Sequence, residues 1–253
     1  MKKIIASLVA MAFATSAVAE PINIVNPGSE EGAFRQVLTT IGEQVEHNFV
    51  QANNPVTAYT YLSENNVLTI WSSEWPGNEE IKSPVIVEEN IVALMTYETL
   101  MCSREYSSID DLAGQQIKIA TWGSEPVARF LTNLGSEIGA DFIVVPFDGS
   151  GSTTKGYIAG DADTVFTITT RQSALEEDSA TNCFAFSANG DLGFRFVDAI
   201  ITVNANDVLT NELRDVVSAL SNTNEWKDKF SGTSTYVGNV QDMYEQAVEN
   251  FSK

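Results

Sequence analysis

Short apolar runs of β type alternate with segments whose apolar residues recur at helical spacing, and this alternation restricts the chain to parallel α/β units. The runs are "INIV" (Ile22 to Val25), "VLTIW" (Val67 to Trp71), "IVALMTYETLM" (Ile91 to Met101), "IKIAT" (Ile117 to Thr121), "FIVVPF" (Phe142 to Phe147), "TVFTI" (Thr164 to Ile168) and "AIITV" (Ala199 to Val203). After the first of them, Phe34, Val37, Leu38, Ile41 and Val45 fall on one helical face; Val127, Phe130, Leu131 and Leu134 do the same after the fourth. The C-terminal third predicts helices over Asn211 to Leu220 and Val240 to Phe251. There is no internal repeat and no low-complexity tract.

The same junction recurs along the chain. "INIV" runs into "NPGSEEGAFR", "IKIAT" into "WGSEPVARF", "FIVVPF" into "DGSGSTTKG" and "TVFTI" into "TTRQSAL". Each is a β run meeting small or hydroxyl residues and then a helix start. Open α/β sheets bind ligands at the carboxyl ends of their strands, where free N–H groups and positive helix ends collect. One such turn is an ordinary N-cap; the recurrence predicts a ligand cleft.

Outside that pattern the sequence excludes more than it assigns. The first 19 residues read as a secretory signal: basic Lys2 and Lys3, an apolar core from Ile4 to Phe13, and the small-residue site "AVA" at Ala17 to Ala19. The core is too short to span a bilayer, and Glu20 stands where a lipoprotein carries cysteine. Cleavage after Ala19 and a soluble periplasmic product are expected. Losing Lys2 and Lys3 leaves 12 basic residues against 34 acidic ones, a formal charge of −22. Nucleic acid and anionic lipid are poor partners for such a chain. An oxidising compartment permits a disulfide between Cys102 and Cys183, two separate buried thiols being the alternative. No CxxC, HExxH, G-x-S-x-G or His/Cys cluster occurs, and the single histidine, His47, receives no role. No metal and no cofactor is expected. An enzyme is the least favoured class; Glu30, Glu31, Asp148 and Asp163 are the acids that could do acid/base work in one.

These stretches resemble the solute-binding proteins of tripartite tricarboxylate transporters, the Bug family. The resemblance lies in "INIVNPGSEEGAFRQVL", in "SIDDLAGQQIKIATWGSEPVARFL" and most specifically in "IVVPFDGSGSTTKGYIAGDADTVF". It implies an α/β, two-lobed periplasmic binding protein fold with a ligand cleft between the lobes. Lobe one would comprise 20–101 plus 190–253, and lobe two 102–189, with a Cys102–Cys183 bridge beside the crossover. Where the family loop carries adjacent glycines, this chain has Ser29, Glu30 and Glu31.

The resemblance further implies a carboxylate held mainly by backbone N–H groups of the loops. This would implicate Pro27, Gly28, Ser29 and Gly32 in the first loop. The second lobe would add Thr121, Gly123 and Ser124, then Gly149, Ser150, Gly151 and Ser152, then Thr169. Trp71 with Ser72, and Trp122, are candidates for the cleft walls, as is Trp75. Arg35, Lys155 and Arg171 lie near the suspected loops. Glu30 and Glu31 have two readings: first-turn acids turned to solvent, or an acid facing the cleft that meets a ligand ammonium. The expected protein is a monomer that captures a small organic acid for membrane permease subunits. Its alternatives are a receptor for a zwitterionic or cationic solute and a sensory binding protein.

Overall fold

The computed structural model describes residues 21–30, 32–185 and 195–252. The expected signal segment, Glu31 and most of the second crossover lie outside these. The first lobe-sized run holds β1 (Ile22–Asn26), α1 (Ala33–Gly42), β2 (His47–Gln51), α2 (Pro55–Tyr61) and β3 (Val67–Ser72). A long strand, β4 (Ile91–Ser103), follows. Then come β5 (Gln116–Trp122), α3 (Glu125–Ile138), β6 (Asp141–Phe147), α4 (Gly149–Ala159), β7 (Thr164–Ile168), α5 (Gln172–Glu176) and β8 (Asn182–Ala185). The chain closes with β9 (Arg195–Val203), α6 (Asp207–Ser221), α7 (Asn224–Lys229), β10 (Thr233–Tyr236) and α8 (Gln241–Ser252).

The strands run in the order β2-β1-β3-β9-β4-β7-β5-β6, with β8 and β10 also paired to β4. Pairing is parallel in two sets, β1 with β2 and β3, and β5 with β6 and β7. The expected parallel units are therefore present, joined through the antiparallel strands β4 and β9. Ile91 to Glu98 of β4 pairs with β9, whereas Thr99 to Ser103 pairs with β7. One strand thus serves both halves of the molecule.

The burial pattern explains the apolar runs. All residues of β3, "VLTIWS", are buried, as expected of a strand covered on both faces. Successive residues face opposite layers. Ile24 and Ile70 join the larger core with Leu38, Met95 and Val217, while Val25 and Trp71 join the other with Leu94, Ala199 and Tyr244. α3 shows why a sequence period makes a docked helix. Val127, Leu131 and Leu134 are buried on one stripe, Pro126 stands in the first turn, and Gly139 ends the helix at φ +74°. Its Arg129 donates to the Phe251 carbonyl of α8 at 2.8 Å and to the Gly77 carbonyl at 3.4 Å, tying the two halves together.

Cys102 and Cys183 sit directly opposite each other on β4 and β8 and form a disulfide. Among the described residues no helix is long and apolar enough to cross a membrane.

Candidate functional site

The carboxyl ends of the strands converge on a cleft of about 240 Å³. Gly28 and Ser29 follow β1, Gly32 to Phe34 open α1, Ser72 ends β3 and Glu74 stands in the turn after it. Facing them are Trp122 at the end of β5, Gly149 and Ser150 at the start of α4, and Ile168 at the end of β7. Tyr97 of β4 and Phe196 and Asp198 of β9 form the floor. A larger hollow of about 490 Å³ lies between the β9–α6 connection and the segment around Pro84, but no strand-end glycine loop borders it.

Local hydrogen bonds fix the first loop. Asn26, fully buried at the end of β1, accepts from the Gly28 N–H at 3.1 Å and donates to the Gly28 and Ser29 carbonyls. Gln51 at the end of β2 donates to Gly28 O at 2.7 Å, and Arg35 braces Gln51 at 3.2 Å while lying over the Phe49 ring. The side chains of these residues shape the loop, and Asn26 takes up the Gly28 N–H.

Two helices meet the cleft with open N-termini. The N-cap of α1 is Gly32, without a side chain to cap, and its first turn carries no acid. The N-cap of α4 is Asp148, which makes no side-chain capping bond, and its first turn is likewise free of acids. The first N–H groups of a helix have no intrahelical acceptor and carry the positive end of its dipole. Arg171 donates to Ser150 Oγ at 3.2 Å, adding a cation behind that turn.

The floor is the opposite in charge. Glu74 is 8% exposed and Asp198 5% exposed. The Trp122 indole donates to Glu74 Oε2 at 2.9 Å, and the nearby Ser124 and Trp75 also favour the charged carboxylate. Ser72, directly opposite on β3, and Tyr97 favour the charged form of Asp198. Burial nevertheless outweighs these donors and pushes the Glu74 carboxyl up to about 7. Burial, with the neighbouring Glu74 charge, raises Asp198 to about 7 as well. Burial beside Asp198 drives the Tyr97 hydroxyl well above its ordinary range. Among the described residues, no Lys, Arg or His lines the cleft.

Of the residues expected at the site, Gly28, Ser29, Gly32, Ser72, Trp122, Gly149 and Ser150 line the cleft. Pro27 is buried behind the first loop, and Thr121 is fully buried with its hydroxyl unpartnered among the described residues. The Gly123 and Ser124 N–H groups are committed, to Phe147 O at 2.7 Å and Trp122 O at 2.8 Å. Gly28 and Gly32 N–H groups are committed too, to Asn26 and to Ser29 O. Gly151 and exposed Ser152 follow along α4 outside the lining, and helix geometry commits the Ser152 N–H to the Asp148 carbonyl. Thr169 Oγ1 donates to Gly232 O at 2.6 Å across the rim. Trp71 is fully buried, its indole donating to Ser83 at 3.1 Å, and packs edge-on against Trp75. Trp122 is the one tryptophan of the lining, stacked on Phe166 at 5.7 Å. Lys155, His47 and Glu30 are exposed and stand outside the lining.

Glu74, Asp198 and Tyr97 were not expected. Asp198 carried a signal, an acid inside the otherwise apolar stretch "FVDAIITV". Glu74, in the irregular "SSEWPG", carried none.

No protein-family model matches the sequence, and no curated protein matches it. Solved structures do resemble the fold. The periplasmic binding protein BugD superposes with a TM-score of 0.67 at 12% identity, covering 92% of this chain and 95% of that one. Rpa4515 of R. palustris with adipate gives 0.66 at 12%, covering 92% and 93%. MatC of Rhodopseudomonas palustris with bound malate gives 0.66 at 10%, covering 92% and 97%. The chain therefore has the two-lobed α/β fold of the periplasmic binding proteins.

Proposed function

We propose that this chain is an extracytoplasmic solute-binding protein of the tripartite tricarboxylate transporter type, which captures a small organic acid and delivers it to membrane permease subunits. The observation that carries this reading is the pair of uncapped helix N-termini, α1 and α4, facing one cleft from opposite sides. A carboxylate placed between them accepts from Ser29 and from the Gly149 to Ser150 turn, where N–H groups and helix dipoles favour an anion. At about 240 Å³ the cleft is smaller than the roughly 300–1,000 Å³ of drug-sized sites and suits a small ligand. The fold is shared with proteins solved with adipate and with malate.

On this reading the chain is exported to the periplasm, loses residues 1–19 and works as a monomer without catalysis. Lobe one is 20–101 plus 190–253 and lobe two 102–189, hinged at the two crossovers. Closure brings α4 toward α1 and excludes water from the anion. A thermal-shift screen of mono-, di- and tricarboxylates tests it. A ligand at 100 times its dissociation constant stabilises the folded state by about 2.7 kcal/mol. A panel of small carboxylates that leaves the melting temperature unmoved contradicts the reading.

A further inference from the structure

We infer that the solute is a carboxylate carrying a protonated amine, held at its anionic end by the helix N-termini and at its cationic end by Glu74 and Asp198. The inference rests on the solute-binding reading and narrows its ligand class.

The cleft is bipolar. Its rim offers two open helix ends and no acidic first-turn residue. Its floor offers two carboxyl groups that line the same space and are more than nine-tenths buried. A plain carboxylate satisfies the rim and leaves the floor as it stands. A plain dicarboxylate does worse, because its second charge is brought toward two acids in a low-dielectric site with no cation among the described lining residues.

The floor also has acceptors to spare. Two carboxylates offer roughly eight lone-pair sites. Trp122 uses one on Glu74; Ser124 and Trp75 near Glu74, and Ser72 and Tyr97 near Asp198, also favour the charged forms as donors. Every one of these partners donates, so what is left over accepts. An ammonium group has three N–H donors and a positive charge, matching what remains. Buried charges are tolerated when paired, and removing one partner is what costs. The ligand amine is the missing partner of this acid pair. Nothing here depends on Glu30, which is exposed and outside the lining.

Isothermal calorimetry on the full mature chain with matched pairs tests the inference: alanine against propionate, 4-aminobutyrate against butyrate, and glutamate against glutarate, with butylamine as a carboxylate-free control. In at least one pair the amine-bearing member binds tenfold or more tightly than its partner, and Asp198→Asn or Glu74→Gln removes that preference. The preference in the unsubstituted protein decides the matter even if a variant misfolds. If the plain acid binds as tightly as the amino acid in every pair, the inference is overturned and the carboxylate reading stands. If butylamine binds as tightly as 4-aminobutyrate, or no probe binds, the carboxylate reading falls and the inference falls with it.

Discussion

The Trp122 indole nitrogen donates to Glu74 Oε2 at 2.9 Å, joining the end of β5 to the turn after β3 across the cleft. The carboxylate on one side is therefore positioned by a donor on the other. Trp122→Phe keeps the stacking on Phe166 and removes the donor. A hydrogen bond to a charged group contributes about 1.5–3 kcal/mol and a neutral one about 1. Urea denaturation is expected to show a loss of about 2 kcal/mol at pH 8, where Glu74 is ionised, and about half that at pH 5. Equal losses at both pH values contradict the role assigned to Glu74.

The acid pair makes the ligand-free fold pH-sensitive. Glu74 rises from the ordinary 4.5 to about 7, and Asp198 from 3.8 to about 7. Between those limits the folded state holds protons the unfolded chain has released, so stability declines as pH rises from about 4 to 7 and stays lost above. Tyr97, which lines the cleft with the pair, and Tyr244, which feels the Asp198 charge, are held neutral across this window by burial. A tenfold difference in proton affinity between the folded and unfolded states is worth about 1.4 kcal/mol. Glu74→Gln is expected to raise the melting temperature at pH 8 and to flatten its fall between pH 5 and 8. A lower melting temperature at pH 8 with an unchanged slope contradicts this.

Gly149 opens α4 at φ +76°, a conformation that costs other residues about 1 kcal/mol or more. Gly149→Ala is expected to turn the Ser150 N–H away from the cleft and to weaken the best carboxylate found by screening at least tenfold. Gly151→Ala has open space around its Cβ and lies in the helix, so it is expected to bind normally and to fold as well or slightly better. Calorimetry on the two variants checks this.

The Cys102–Cys183 bond closes a separation of 81 residues and clamps β8 to the crossing strand β4. The chain-entropy relation gives about 4.5 kcal/mol for a loop of this size. The Cys102→Ser, Cys183→Ser double variant is expected to lose that order of stability. Thiol titration of the denatured, unreduced protein should find no reactive group.

How much of this was legible in the sequence follows from what each residue needed. The strands with long apolar runs were readable because burial on both faces leaves a continuous signal, as in β3 and β4. β7 falls on Thr164–Ile168, the limits of its run. β2 was missed because an edge strand reading "HNFVQ" is half exposed and has no run to show. α2 was missed because it is short and its amphipathic stripe is one buried residue, Ala58. The start of β9 was hidden because Asp198 interrupts its apolar pattern, and the expected strand began only at Ala199. The loops after β1 and before α4 announced themselves by glycine and serine. The acids of the floor did not, because what distinguishes Glu74 is burial against the indole of distant Trp122, a tertiary property. Trp71 was a strand-end candidate by sequence, but strand alternation turns it into the core.

Solute binding at these strand ends is tested most directly by a crystal structure of the mature protein grown with the tightest probe from the calorimetry. A carboxylate oxygen is expected within about 3 Å of the Ser150 N–H, at normal hydrogen-bond distance, with a nitrogen of the ligand directed at Glu74 and Asp198. A ligand seated in the hollow between Tyr59 and Thr210, or one whose carboxylate points away from both α1 and α4, contradicts it.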